Sequence, residues 1–326
     1  MKEFKHINPT TVEEAVSTLA SYGKKAAALA GGTDLLCKLV DRCLPEQPEY
    51  IVNLKTLAGL SSIKEEGEGL SIGALVKLDD IVSSSLVKTR SPLLAQAASK
   101  VASWQIRNMG TIGGNICQET RCWYFRSSWN KFPCLRKNSS GVCDALVGDN
   151  RYHHSIFGAS NGCVAANLSD VAPALVALDA TIVTSSRSIA AEQFFDSRVV
   201  PDGPSMTVLN QDEIVTEIKI PPQPTGAKQA FVKASIRRAI DFALVNCAVV
   251  IAPANGNITS ARIVLGGVAP VPRRAKAAED AIVGKTISEA TADSVASEAV
   301  KGAATLPYNK YKIQVAKGVL KQAILY

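Results

Sequence analysis

The alternation of hydrophobic and polar positions divides the chain into regular stretches and one irregular stretch. At the N-terminus a strand is predicted at 4–7, then a helix over 11–22, where Thr11 and Glu14 have the spacing of a capping box. The apolar run 26–30 ends at Gly31-Gly32, a second helix is predicted to start near Asp34, and 50–53 reads as a strand. A strand at 70–74 leads into helical patterns at 78–84 and 92–102, and then to a second glycine-rich turn within 105–115. Residues 116–168 lose any period and mix aromatic, Cys, Arg and Gly residues. Regular structure resumes with a helix at 169–179 and a strand at 181–184, and the alternation of EIVTEIKI predicts a strand at 213–220. The segment PPQPTG (221–226) is a linker signal. Strands are predicted at 229–235, 244–252 and 260–265, and helices at 287–302 and 309–325. That order suggests a separate α+β domain from about residue 225. In the last helix Tyr311, Val315, Val319 and Ile324 form an apolar, core-facing stripe, with Lys310, Lys317 and Lys321 on another face.

Composition narrows the class. With 326 residues, 47% of them hydrophobic, the chain can bury a sizeable core in two domains or one large one. The formal net charge of +7 is dispersed over Lys24, Lys25, Lys100, Arg136, Lys137, Arg237, Arg238, Arg273 and Arg274, which read as a solvated surface. No block of like charge interleaves with aromatics, so no nucleic-acid partner is expected. No apolar leader or long apolar run is present, so neither a secretory signal nor a membrane span is expected and a cytoplasmic location is inferred. Eight cysteines in such a chain are expected to be reduced thiols. Five of them, Cys117, Cys122, Cys134, Cys143 and Cys163, fall in the irregular stretch, whereas Cys37, Cys43 and Cys247 are scattered.

A diphosphate needs close backbone approach, which glycine permits. Ala28-Leu29-Ala30-Gly31-Gly32-Thr33-Asp34 and Thr111-Ile112-Gly113-Gly114-Asn115 both suit this, although a double glycine alone is more often a tight turn. Neither is a Rossmann or Walker loop. The pair AGGTDLL and IRNMGTIGGN, followed by SDVAPAL, FVKASIRRAIDFALVNCAV and NKYKIQVAKGVLKQAI, resembles the FAD subunits of the xanthine dehydrogenase and carbon monoxide dehydrogenase (molybdenum hydroxylase) family over nearly the whole chain. The resemblance implies an α+β fold: a vanillyl-alcohol-oxidase (PCMH-type) FAD-binding fold of two α/β subdomains, at about 1–55 and 56–222, followed by a smaller α+β domain at 225–326 with a three-stranded antiparallel sheet and helices. It also implies that Ala28 to Asp34 line the diphosphate on one side and Thr111, Gly113, Gly114 and Asn115 on the other. Val101, Ile116, Cys117 and Asp170 match further cofactor-lining positions, and Leu209 and Lys233 match positions bordering the isoalloxazine ring. A cation at Lys233 would favour an anionic reduced flavin; without the resemblance Lys233 reads as an exposed strand lysine.

The cysteine-bearing insertion, about 116–168, is long by the standard of the family's simplest members, where the second loop leads almost directly to the SD segment. Its spacings are C-x11-C, C-x8-C and C-x19-C from Cys122 to Cys163, with no CxxC pair. Four thiolates suit either a 4Fe–4S cluster or a structural zinc, and spacing alone does not choose. An irregular segment also needs a staple to stay ordered, which a metal centre supplies. The insertion resembles that of the FAD subunits of 4-hydroxybenzoyl-CoA reductase and bacterial periplasmic aldehyde oxidoreductase, which implies a 4Fe–4S cluster on Cys122, Cys134, Cys143 and Cys163. Cys117 belongs to the flavin loop, and His153 and His154 read as ordinary loop residues.

No residue is assigned a catalytic role, because no nucleophile, paired-carboxylate or HExxH set is present. The family implies an electron-transfer subunit working with a large molybdenum-cofactor subunit and a small subunit holding two 2Fe–2S clusters. Ferredoxin, quinone or NAD would be the external redox partner. Two other readings are a flavin-free assembly subunit and a stand-alone flavin oxidase.

Overall fold

The computed structural model describes residues 1–137, 142–195, 199–200, 203–204 and 206–326. The N-terminal helix Val12–Tyr22 starts at Thr11, whose hydroxyl accepts from the Glu14 N–H at 3.1 Å. The Glu14 carboxylate reaches Thr10 instead of Thr11, accepting from its backbone N–H at 2.7 Å, so the capping box closes one residue early. Strands Lys5–Ile7, Tyr50–Asn53 and Ala26–Leu29 form a parallel sheet in that order. Parallel pairing requires a crossover between strands; the helix Val12–Tyr22 makes the first and Leu35–Asp41 the second.

A second sheet is antiparallel, in the order Ile63–Glu66, Gly69–Gly73, Val215–Ile220, Thr181–Thr184, Ser188–Ala190. Its central strand comes from the EIVTEIKI segment, which buries Val215, Ile218 and Ile220. Helices Leu78–Ser83, Pro92–Ser99 and Val171–Ala177 contribute to the large core behind this sheet, with Leu78, Ile81, Leu93, Leu94, Val171 and Leu175 fully buried.

The C-terminal sheet has the predicted three antiparallel strands, Lys228–Ala234, Val245–Ala254 and Asn257–Gly266, plus a two-residue fourth, Arg273–Arg274. Helices Lys276–Ile282, Glu289–Ala299 and Lys312–Leu325 cover it, burying Ile263, Leu265, Val295 and Leu320 in a second core. The buried stripe of the last helix is Lys312, Ala316, Val319, Leu320, Ala323 and Ile324; of the predicted stripe Val319 and Ile324 are buried, Val315 is half-buried against the core and Tyr311 is exposed. A charged side chain, Lys312, heads the buried positions. Its ammonium donates to the carbonyls of Gly267 at 2.7 Å and His154 at 3.0 Å, which offsets part of the burial cost.

Residues 118–168 carry no strand and no α-helix among the described residues, only the one-turn helices Ser128–Asn130 and Asp144–Leu146. Isolated bridges pair Cys134 with Cys143 and Ser160 with Cys163, so local backbone pairing brings the cysteines together.

Candidate functional site

The two glycine loops touch. The first leaves the strand Ala26–Leu29, and a Cβ on Gly31 would lie 2.1 Å from the Met109 carbonyl oxygen. Only glycine therefore lets the first loop seat on the approach to the second. Gly32 has φ +76°, a left-handed turn that glycine adopts without strain. The backbone N–H groups of Gly31, Gly32 and Thr33 donate to no acceptor among the described residues, so this loop keeps donors for an anion.

The second loop is already satisfied internally. It forms a one-turn helix, Ile112–Ile116, with Thr111 as N-cap. Ile112 donates to the Val76 carbonyl, Gly113 to the Ala74 carbonyl, Gly114 to the Thr111 hydroxyl and Asn115 to the Thr111 carbonyl. A Cβ on Gly113 would meet the Ala74 carbonyl at 2.8 Å, so packing accounts for that glycine. A Cβ on Gly114 would stand 3.8 Å from that of Ala30, so the two loops face one another here.

The Asp34 carboxylate is engaged within the protein. It accepts from Arg126 Nη2 at 2.6 Å and from the Glu119 N–H at 3.1 Å, and pairs with Arg121 Nη2 at 2.8 Å. Burial would raise its pKa, but Lys38, Arg121 and Arg126 outweigh that and bring it down to about 2. Asp34 thus ties the end of the first loop to the start of the insertion.

Asp170 and Lys233 form a buried pair, 2.6 Å apart. Lys233 also donates to the Lys100 carbonyl at 2.8 Å, and Asn246 donates to Asp170 at 2.7 Å. Burial raises the Asp170 pKa, and Lys233 and Asn246 pull it down. Lys233 is therefore not the exposed strand lysine that its position alone suggested. Ser169 donates to Asn115 Oδ1 at 2.6 Å, which joins this cluster to the second loop. Val101 accepts from Arg107 through its carbonyl at 3.0 Å and is buried in the same core, against which Leu209 packs. Ile116 is buried there as well, and burial pushes the Cys117 thiol up to about 12.

In the insertion, Cys122, Cys134, Cys143 and Cys163 line one cavity, with Phe125 and Arg136 also in its wall; Cys117 is outside it. Burial pushes Cys122 up to about 12 and raises Cys134 and Cys143, so unliganded thiols here keep their protons. None of the eight cysteines is in a disulfide. Among the described residues no three His, Cys, Asp or Glu side chains are gathered for a single ion. Four thiols lining one cavity are a donor set that suits a structural zinc or a polynuclear cluster.

Arg136, which read as a surface residue, lines this cavity, and His154, which read as a loop residue, contacts one of its cysteines. Arg136 is 2% exposed, and its Nε donates to Cys163 Sγ at 3.2 Å. His154 is buried, with Nε2 3.2 Å from Cys122 Sγ, and His153 stands edge-on to Phe242 and Trp123. Burial, then Lys312, lowers both histidines to about 4. The C-terminal domain holds this part of the insertion: Lys312 and Asn309 donate to the His154 carbonyl, and Ile156 donates to Val268.

The comparisons with known proteins decide the family. Residues 2–223 match the family described as FAD binding domain in molybdopterin dehydrogenase, and residues 230–326 match the CO dehydrogenase flavoprotein C-terminal domain. The chain belongs to this family. It is similar to the aldehyde oxidoreductase FAD-binding subunit PaoB of Escherichia coli, 34% identical over 86% of this chain and 86% of that protein. It is also similar to the carbon monoxide dehydrogenase medium chain of Hydrogenophaga pseudoflava, 30% identical over 91% of this chain and 86% of the other. The structure of carbon monoxide dehydrogenase from that organism superposes with TM-score 0.77 at 29% identity, covering 99% of this chain and 96% of the other. The chain is thus an FAD-binding, medium-type subunit of the molybdenum hydroxylase family and an oxidoreductase component, with the fold that the resemblance implied. No described helix is long and apolar enough to cross a membrane.

For a flavoprotein of this family the sequence reading missed Glu119, Arg121, Arg126 and Arg136. Glu119, Arg121 and Arg126 stand in QETRCWYFR and Arg136 two residues after Cys134, and arginines among cysteines were the available signal.

Proposed function

We propose that this chain carries both FAD and a 4Fe–4S cluster and passes electrons between iron–sulfur centres and an external redox partner. The single observation that carries the reading is the cavity walled by Cys122, Cys134, Cys143 and Cys163, joined through Arg121, Arg126 and Asp34 to the flavin loop. FAD would lie against Ala28–Thr33 on one side and Thr111, Gly114 and Asn115 on the other. The uncommitted N–H groups of Gly31, Gly32 and Thr33 would meet its diphosphate. Beside Asp34, Arg121 Nε and Arg126 Nη1 are buried without a hydrogen-bond partner, which leaves cationic donors for an anion or water. Bound flavin supplies the exchange between one- and two-electron steps. The chain's own part is to hold and insulate: Asp170 and Lys233 fix the C-terminal sheet against the second loop, with Val101, Ile116, Cys117 and Leu209 forming the apolar side of the same region.

The working assembly would add a large molybdenum-cofactor subunit and a small subunit with two 2Fe–2S clusters, with ferredoxin, quinone or NAD outside, in the cytoplasm. The flavin-binding part would span 1–222 and the C-terminal part 225–326. Metal, sulfide and flavin analysis of the purified chain tests the proposal. About four irons with acid-labile sulfide and one FAD per chain are expected. Zinc without acid-labile sulfide would sink the cluster, and a colourless protein would favour a flavin-free assembly role.

A further inference from the structure

The cavity holds a cation as well as thiols. Arg136 is among the largest fully buried side chains of the protein, and its guanidinium lies between Cys163 Sγ, 3.2 Å from Nε, and the Glu119 carboxylate, 3.8 Å from Nη1. Burying a guanidinium is costly unless a compensating charge is present. Glu119 offers one, but it is distant for a hydrogen bond, and its Oε2 has no hydrogen-bond partner. On its other side the guanidinium donates to Cys163 Sγ, so a cavity sulfur is its hydrogen-bond acceptor. The Glu119 backbone N–H donates to Asp34, so the arginine is held from the flavin-loop side, not by the cysteine segments alone.

We propose that Arg136 is a positioning residue that sets the reduction potential of the cluster through a charge-assisted N–H···S hydrogen bond to Cys163. The proposal rests on the reading of Cys122, Cys134, Cys143 and Cys163 as cluster ligands. When a low-potential one-electron donor reduces the cluster, one electron enters and no bond to the protein breaks. The added negative charge meets the fixed positive charge of Arg136, so the guanidinium favours the reduced form. Hydrogen bonds to sulfur and local net charge are the levers by which a protein tunes such a centre.

The test compares wild type, Arg136→Lys and Arg136→Gln in the full chain. Iron, sulfide and flavin content are measured, and the cluster is titrated spectroscopically against a mediated reductant. In Arg136→Gln the ratio of reduced to oxidised cluster at fixed poise is expected to fall at least tenfold, which is about 59 mV for one electron. Arg136→Lys, which keeps the charge, is expected to stay closer to wild type. Loss of iron from Arg136→Gln alone, with Arg136→Lys loaded and near the wild-type potential, also supports the charge requirement. Full cluster content with unmoved potentials in both variants overturns the proposal. So does loss of iron from both with flavin retained, because the side chain would then be holding shape and not charge. Wild type lacking iron and sulfide fails the cluster reading itself, a separate outcome from either.

Discussion

Replacing Asp34 by Asn should weaken the joint between the flavin loop and the insertion, and the effect should fade in acid. Asp34 is the common acceptor for Arg126, Arg121 and the Glu119 N–H, with Lys38 at 3.8 Å. These partners hold the carboxyl at about 2, against its ordinary 3.8. At about 1.36 kcal/mol per pKa unit, the difference corresponds to about 2 kcal/mol of stability near neutral pH. The sign follows from linkage. The folded value lies below the unfolded one, so this stabilisation is complete above about pH 4 and is lost as pH falls toward 2. Asn keeps the shape and one acceptor but not the charge, and it leaves two buried guanidinium groups without their counter-ion. The neutral-pH loss should therefore be about 2–4 kcal/mol, within reach of the cost of breaking a buried pair. Urea unfolding of wild type and Asp34→Asn, followed at pH 7, 5 and 3, measures the gap directly. A gap of similar size at pH 7 and 5 that has shrunk by roughly half at pH 3 is expected. A gap unchanged from pH 7 to pH 3 would refute the assignment of the stabilisation to the Asp34 charge.

Other substitutions probe the remaining contacts. Lys312→Met should remove a pH slope: burial lowers Lys312 from 10.5 to about 7, so the cost of burying the cation is felt below pH 7 and relieved as pH rises toward 10.5. Wild type should thus gain stability relative to the variant over that interval, and parallel curves in pH-dependent unfolding would count against it. Gly31→Ala should lose most bound flavin, because its Cβ would stand 2.1 Å from the Met109 carbonyl; full flavin absorbance in the purified variant would contradict this. Lys233→Met leaves Asp170 buried and unpaired, and should cost about 3–5 kcal/mol in urea unfolding, with Lys233→Met/Asp170→Asn recovering part of it.

The fold was largely legible where burial follows a simple period. The EIVTEIKI strand, the three C-terminal strands and the helix after Thr11 were all predicted within a few residues, because alternate or helical spacing of apolar residues needs no distant partner to be read. The strand Ile63–Glu66 was missed because its sequence, IKEE, lies at a sheet edge with three exposed polar residues. The helix Ser85–Arg90, between the predicted 78–84 and 92–102, was missed because it is a short turn region starting at the Ser84 cap. The glycine positions of both loops were visible, yet their division of labour was not. Which N–H groups are already satisfied depends on Ala74 and Val76, far from the loop in sequence.

Charge was the least legible property, and for one physical reason. A charged residue is read as solvated unless its partner is known, and here the partners are remote. Lys312 is paid for by carbonyls of His154 and Gly267, Lys233 is neutralised by Asp170, and Arg136 faces Cys163 and Glu119. In each case the partner lies on another segment, and each bond joins two parts of the chain: C-terminal helix to insertion, C-terminal sheet to second loop, and insertion to itself. The irregular segment is therefore held chiefly by polar contacts that converge on it from the flavin loop and the C-terminal domain. Its own apolar cluster is small, comprising Cys122, Phe125, Cys134, Ala145, Cys163, Val164 and Ala165. Three of those seven are cysteines lining the cavity. If those thiols hold the proposed cluster, its removal should loosen the insertion before either flanking sheet.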